Sequence, residues 1–364
     1  MDTAKIDKNF AIAEVDADGV EFYDVRKEPF KIYGLYNAKS EPYFKRLPDE
    51  IGMNVNEGVK RLYKHTAGGR VRFSTDSSLI AISVKLHESS RFAHMPFCGT
   101  MGFDLYIDSE DGAEHIYSGT FFPPVAPCDS YCAKVTVGES KKRFYTLNLP
   151  SYTGITELFI GVEAGASLDY GLCYKNTLPV VYYGSSITQG ACACRSGNSY
   201  QDIISRSMGL DYINLGFAGN GRAEDTIVDY MAGLDMCAFV SDYDHNAPNA
   251  EYLESTHRNM YRKIREKHPN IPYIMISKPD FDKDKADARK RRDAILRNFN
   301  EGIANGDKNL YFIDGETFFR APYRESCTVD GIHPNDLGFG LMADLIEKTL
   351  TQALSYLLQF LYEK

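Results

Sequence analysis

Nowhere in the 364 residues does an apolar run approach the roughly 18 residues that a membrane-spanning helix needs. No transmembrane segment is expected. The opening stretch MDTAKIDKNFAIAEVDADG also lacks the apolar centre of a signal peptide. Positive charge is in deficit: 41 Lys and Arg stand against 50 Asp and Glu, a formal net charge of −9 with an isoelectric point near 5.5. That balance argues against a surface for nucleic acid or another polyanion and favours a neutral or weakly charged ligand. The eight cysteines, at 98, 128, 132, 173, 192, 194, 237 and 327, include no C-x-x-C pair of a zinc site. Cys192 and Cys194 stand too close to pair with each other. Free thiols in a reducing cytoplasm are the plainer reading, so a cytoplasmic location is expected, with secretion the alternative if a signal peptide has been removed. Internal repeats and low-complexity linkers are missing too.

What is present divides in two. A chain of this length is too long for one ordinary core, and its 43% hydrophobic and 25% charged residues are those of a globular protein. From Val20 to about Asp169 the pattern alternates. In VRFSTDSSLIAISVKL, Ile80, Ile82, Val84 and Leu86 lie on one face, and GFDLYID repeats the alternation with Phe103, Leu105 and Ile107. Gly68-Gly69, Asp76-Ser77-Ser78 and Asp111-Gly112 supply turns. Short alternating strands with turn chemistry between them predict an antiparallel β-sandwich over residues 1–175. After Pro179 apolar strands (PVVYY, DYINLG, MCAFVSD, IPYIMIS, NLYFID) alternate with helical stretches such as SYQDIISRSMG, AEYLESTHRNMYRKIREKH, KADARKRRDAILRNFNEGIA and PNDLGFGLMADLIEKTL. That series predicts an α/β domain over 176–364, a parallel sheet with helices on both faces. The basic run Arg289-Lys290-Arg291-Arg292, interleaved with Asp282, Asp284, Asp287 and Asp293, reads as a solvated helix face, with an anion site as the alternative.

In such a sheet ligands bind beyond the carboxyl ends of the strands. Those ends carry Gly184-Ser185-Ser186, then Asn214-Leu215-Gly216-Phe217-Ala218-Gly219-Asn220, then Asp242-Tyr243-Asp244-His245-Asn246; beyond the last strand stands Asp330-Gly331-Ile332-His333-Pro334. Each has a bland use. Ser186 can cap a helix. Gly216 and Gly219 can supply positive φ in a turn; their order, G-x-x-G-x-G with Gly221, is not the dinucleotide fingerprint. Asn246 can be a turn residue ahead of Pro248, and Asp330 the start of a capped loop. Gly184 to Thr188 has Thr where a G-x-S-x-G elbow has its second glycine.

Taken together, the blocks GSSIT, NLGFAGN, DYDHN and DGIH resemble those of the SGNH (GDSL-type) hydrolases. The resemblance implies the flavodoxin-like three-layer fold of that family. It places the nucleophile on Ser186, with Ser185 where the family has Asp. It places the oxyanion-hole residues on Ser186, Gly219 and Asn246, although Asp244-His245-Asn246-Ala247 departs from the usual Gly-x-Asn-Asp, and the Asp-x-x-His pair on Asp330 and His333. In the first half, Gly102-Phe103-Asp104-Leu105-Tyr106 reads G-x-D-L-Y and resembles the domain that precedes one subgroup of these hydrolases.

A serine hydroxyl needs a base, which His333 can be, and Asp330 three residues earlier can orient the imidazole. Asp244, His245 and Arg222 stand near enough in sequence to touch a substrate; the alternatives are a local Asp244–His245 ion pair and an Arg222–Glu224 pair. Tyr182 and Tyr183 read as sheet core. The family includes lipases, thioesterases and carbohydrate deacetylases. With no interfacial helix evident and a β-sandwich alongside, the expected activity is hydrolysis of short acyl (acetyl-type) esters on a carbohydrate, by an acyl-enzyme mechanism. The chain has no Trp, so sugar stacking would fall to its 25 Tyr and 21 Phe. The rival readings are a glycan-binding protein with a degenerate hydrolase domain, a ligand binder without covalent chemistry, and an esterase for longer acyl chains. No metal or organic cofactor is implied, the expected partner is a small-molecule or glycan ester, and nothing in the sequence bears on oligomeric state.

Overall fold

A computed structural model of the chain describes residues 19–89, 91–111 and 114–362, with side chains to residue 355. The signal-peptide expectation, up to residue 18, and Gly112 of the Asp111-Gly112 turn lie outside the described residues. Along the chain come β1 (Val20–Asp24), β2 (Lys31–Tyr33), α1 (Asp49–Gly52), α2 (Glu57–Leu62), β3 (Arg70–Thr75), β4 (Leu79–Leu86) and α3 (Phe97–Thr100). Then follow β5 (Phe103–Asp108), β6 (His115–Phe121), β7 (Ser130–Thr136), β8 (Arg143–Asn148), β9 (Ile155–Glu163) and β10 (Leu168–Tyr170). The second half runs β11 (Val180–Gly184), α4 (Ser186–Gln189), α5 (Tyr200–Met208), β12 (Tyr212–Gly216), α6 (Asp225–Ala232) and β13 (Ala238–Asp242). It ends α7 (Ala250–Lys267), β14 (Tyr273–Ile276), α8 (Lys285–Ala304), β15 (Leu310–Ile313) and α9 (Asp336–Tyr362). Two compact units result. Of the described residues, one gathers 19–45, 64–173 and 195–197; the other gathers 46–63, 174–194 and 198–362. The chain thus crosses between units more than once, where the sequence suggested a single boundary near residue 175.

The first unit holds two antiparallel sheets, β1-β9-β4-β7 and β10-β3-β8-β5-β6, with β2 added beside β3. Ile80, Ile82, Val84 and Leu86 of β4 share one buried cluster with Phe103 and Leu105 of β5 in the other sheet. Alternation on the pleat has put the apolar set of each sheet inside, which is the packing of a sandwich. The G-x-D-L-Y residues do more than pair strands. Asp104, fully buried on β5, accepts from Asn148 Nδ2 at 2.9 Å, Arg195 Nε at 3.0 Å and the Gly197 amide at 3.0 Å. Tyr106 accepts a further bond from Arg195 at 2.7 Å. One buried carboxylate therefore anchors the 195–197 segment in this unit.

The second unit is a five-stranded parallel sheet in the order β12-β11-β13-β14-β15, the 2-1-3-4-5 order of flavodoxin-like folds. Both faces are buried, and successive residues serve opposite layers. Val181, Tyr183, Phe239 and Tyr273 pack with Ile227, Met231, Leu253, Met260 and Ile295 of α6, α7 and α8. Val180, Tyr182, Val240 and Ile274 pack with Tyr200, Ile204, Phe339 and Ile346 of α5 and α9. This is why the strands read as continuous apolar runs rather than as alternating ones. α6 has no counterpart in the sequence reading, because eight residues are too few for a helical period to stand out. Among the described residues no helix is long and apolar enough to cross a membrane.

Asp104→Ala should remove about 3 kcal/mol or more of stability, because Arg195 then loses the carboxylate that compensates its burial. Urea unfolding checks this; a loss under about 1 kcal/mol would mean that the Asp104 network adds little.

Candidate functional site

Strand β11 cannot continue past Gly184. A Cβ there would sit 2.0 Å from Thr188 Oγ1 and 2.3 Å from the Asp242 carbonyl, so only glycine lets the chain turn this tightly beside β13. Ser185 follows as the N-cap of α4, its Oγ accepting from the Ile187 amide at 3.2 Å. The capping role open to Ser186 thus belongs to its neighbour, and Ser186 is the first helical residue. From Val180 to Ala193 every residue is buried except Ser186. The local chemistry of the turn has brought one hydroxyl, and one only, to the surface.

That hydroxyl meets an imidazole from 147 residues away. Ser186 Oγ lies 2.9 Å from His333 Nε2, and His333 Nδ1 lies 2.7 Å from Asp330 Oδ2. The other oxygen of Asp330 accepts the His333 and Ile332 amides at 2.8 and 3.0 Å. Partial burial pushes the Asp330 carboxyl up, but these amides and the imidazole outweigh it and hold it at about 2. Asp330 therefore keeps its charge at any ordinary working pH. Its loop is pinned at the base, where Val329 donates to the His333 carbonyl at 2.9 Å and Asn335 to that of Cys327 at 3.0 Å.

The two further expected residues stand on the loops after β12 and β13. Gly219 has the positive φ (+70°) expected of it. Gly216 does not; a Cβ at 216 would lie 2.2 Å from the Gln189 nitrogen, so close approach to α4 is its constraint. Among the described residues the Gly219 amide donates to none, which leaves it available to a ligand. Asn246 Nδ2 donates to the Phe217 carbonyl at 3.0 Å and keeps its second hydrogen. Phe217 also accepts the Asn220 and Gly221 amides, so one carbonyl ties the two loops together.

The flanking residues turn out differently. Asp244 and His245 do not pair with each other. Asp244 is buried and accepts the Lys278 amide at 2.9 Å, with Arg291 beside it, so it is out of a substrate's reach. His245 Nε2 instead meets Asp280 at 2.7 Å. Arg291, from the run read as a solvated face, is buried and donates to the carbonyls of Asp244 and Ala247 at 2.8 and 2.9 Å, bracing the loop that carries Asn246. Arg222 does not pair with Glu224: it is exposed and donates to the Gly219 carbonyl at 3.1 Å, while Glu224 accepts from Asn56 at 2.6 Å.

Two features were given no role by the sequence. Arg46, buried, donates to the carbonyls of Asn214 at 3.1 Å, Gly216 at 2.6 Å and Leu62 at 2.7 Å, with its guanidinium 4.6 Å from the centre of the Phe217 ring. β12 is an edge strand, and Arg46 takes the carbonyls that a further strand would have taken. Asn56 adds a bond to the Asn220 carbonyl at 3.0 Å. A partner 168 residues distant leaves no local pattern. The second feature is Asp242, fully buried at the end of β13, which accepts from Thr188 at 3.1 Å and Tyr200 at 3.3 Å. Burial pushes its carboxyl up to about 7, in spite of His245 and the two hydroxyls.

Residues 177–351 match the GDSL-like Lipase/Acylhydrolase family, and residues 20–168 match the N-terminus of Esterase_SGNH_hydro-type. Among solved structures the chain is similar to a protein of Bacteroides ovatus ATCC 8483 described as a GDSL-like lipase, at 26% identity over 92% of this chain and 98% of that one, TM-score 0.83. It is similar to a salicylyl-acyltransferase from a tetracycline biosynthetic pathway, at 19% identity over 94% and 98%, TM-score 0.74. It is also similar to a family two carbohydrate esterase from Clostridium thermocellum, solved with cellohexaose, at 13% identity over 90% and 99%, TM-score 0.62. At those identities the last two share the fold. No curated protein matches the chain.

Arg46→Met should leave the edge carbonyls of β12 unpaired, so hydrogen exchange at the amides of 217–221 should speed up more than at those of β13; equal protection in both would exclude the bracing role. Asp242 gives a pH signature. An unfolded carboxyl titrates near about 3.9, so between pH 4 and 7 the folded chain holds a proton that the unfolded chain has lost. Stability therefore falls as pH rises through that window and levels off above it. Asp242→Asn lacks this dependence. Its melting temperature relative to the wild type should climb from pH 4 to 7, and a pH-independent difference would show that Asp242 is ionised throughout.

Proposed function

The chain belongs to the GDSL-like lipase/acylhydrolase family of ester hydrolases, and within that family we propose that it is a serine esterase that removes short acyl groups, acetyl first among them, from a carbohydrate alcohol. The observation that carries this reading is the unbroken chain Ser186 Oγ, His333 Nε2, His333 Nδ1, Asp330 Oδ2, with contacts of 2.9 and 2.7 Å. It is the set of groups needed to draw a proton from a hydroxyl and return it to a leaving group.

In the proposed cycle Ser186 Oγ attacks the ester carbonyl carbon while its proton passes to His333 Nε2. Asp330, charged and aimed at Nδ1, stabilises the imidazolium so formed. The carbonyl oxygen becomes an oxyanion, received by the amides of Ser186 and Gly219 and by the second Nδ2 hydrogen of Asn246. One such donor is worth roughly 3–4 kcal/mol of the barrier. Collapse expels the alcohol oxygen, which takes the proton back from Nε2 and leaves the acyl group on Ser186. Water then attacks that acyl-enzyme by the same relay, releasing the acid and restoring Ser186. No step calls on a cofactor.

The carbohydrate part leans on fold-level likeness. Neighbours of this fold include the family two carbohydrate esterase solved with cellohexaose and an acetyl xylan esterase from Butyrivibrio proteoclasticus. Hydrolysis of p-nitrophenyl acetate beside p-nitrophenyl octanoate tests the reading. Wild type should favour the acetate, and both Ser186→Ala and His333→Ala should cost about 10³-fold or more in kcat. A fluorophosphonate should label wild type and not Ser186→Ala. Turnover of the octanoate alone would overturn the short-acyl assignment, and undiminished turnover by Ser186→Ala would overturn the mechanism.

A further inference from the structure

A cavity of about 560 Å³ opens in the parallel-sheet unit against the acid end of the triad, its wall including Asp330 and Gly331. The remaining wall comes from the loop after β14, at 279–283, and from residues 319–328 after β15. Its size lies within the roughly 300–1,000 Å³ of small-molecule sites. Nothing in the proposed mechanism so far occupies it.

We propose that this cavity binds the alcohol half of the ester, and that it accepts an uncharged, hydroxyl-bearing ring while rejecting an anionic one. The inference rests on the esterase reading above and adds a substrate class to it. Position is the first reason. The departing alcohol must receive its proton from His333 Nε2, so it has to leave on the histidine side of Ser186. The proposed oxyanion donors come from the loops after β12 and β13, whereas the cavity is built from the loops after β14 and β15, beyond β13 in the sheet. An ester with its carbonyl oxygen toward Gly219 and Asn246 would therefore point its alcohol toward the cavity.

Chemistry is the second reason. Phe281 and Phe319 back the cavity but are themselves buried, so the wall offers a ligand mainly polar side chains. Asp280, Asp282, Glu325 and Asp330 line it with Lys283 and Arg324, and Lys285 reaches Asp282 at 3.3 Å, four carboxylates against three cations, an excess of one negative charge. Arg324 is already spent: its guanidinium pairs with Asp282 and donates to the carbonyls of Glu316 and Phe319. Asp280 is held by His245, which, with its other neighbours, outweighs the upward push of burial and keeps the carboxyl below its ordinary value. Carboxylates accept hydrogen bonds and cannot donate them, so they suit the hydroxyls of a neutral ring. An anionic ring would meet an excess of like charge, with the Lys283 ammonium but no free guanidinium fork to receive it.

The test compares kcat/KM for one O-acetylated methyl glucoside and the methyl glucuronoside acetylated at the same position, with p-nitrophenyl acetate as the reference ester. Wild type should favour the neutral sugar by at least about tenfold. Asp282→Asn/Glu325→Gln should narrow that ratio at least fivefold, chiefly by faster turnover of the glucuronoside. Glu325→Lys, a single exposed change, should narrow it further and guards against loss of fold in the double variant. A wild-type ratio near one, or a ratio unmoved in both variants, would overturn the subsite. So would turnover of p-nitrophenyl acetate with neither sugar ester hydrolysed. Loss of all three activities together with fluorophosphonate labelling would instead overturn the esterase reading beneath it.

Discussion

A single hydrogen bond, Ser186 Oγ to His333 Nε2 at 2.9 Å, spans 147 residues of chain, and the parallel-sheet unit is arranged so that it can form. Neither residue can be placed by its neighbours alone. Ser186 is held by the exit from β11, where the missing side chain of Gly184 admits Thr188 and the Asp242 carbonyl, and by Ser185, which satisfies the start of α4. His333 is held by a loop closed on itself through Asp330 and Asn335 before α9 begins. The sheet brings the two together because parallel strands deliver all their carboxyl ends to one edge.

The loops along that edge carry backbone polar groups that strand pairing cannot satisfy, and two buried arginines take them up. Arg46 serves the edge carbonyls of β12, and Arg291 those of the 244–247 turn. A guanidinium suits this task because its several donors lie in one rigid plane and its charge does not titrate away. Each brace sits one step behind a proposed oxyanion donor, so precision at Gly219 and Asn246 depends on residues that no substrate reaches. The same economy appears in the sandwich unit, where one Asp104 carboxylate gathers three donors.

Electrostatics divides the site into unlike halves. Asp330 is solvated by amides and an imidazole and is held at about 2, while Asp242, buried with two hydroxyls, is pushed up to about 7. Two aspartates of one unit thus stand on opposite sides of their ordinary value because one has donors enough to stabilise its charge and the other has not.

Much of this was legible in the chain. Alternation in the first half and strand–helix succession in the second specify the layers, since a pleat and a helix bury their apolar residues with different periods. The G-S-S, G-F-A-G and D-G-I-H blocks are short and local, and their turn chemistry can be read without a fold. Other features had to wait for the tertiary structure. Asp244, His245 and Arg222 sit beside the right residues in sequence, yet Lys278, Asp280 and the Gly219 carbonyl decide where their side chains go. Arg291 looked like one more cation in a solvated run until packing against the 244–247 turn buried it. Arg46 gave no sign, because its partners lie up to 170 residues away. Sequence by itself determined most of the elements and the proposed reactive groups, whose signals lie within a few residues; burial and pairing were decided by the assembled fold, because they depend on atoms that only folding brings into contact.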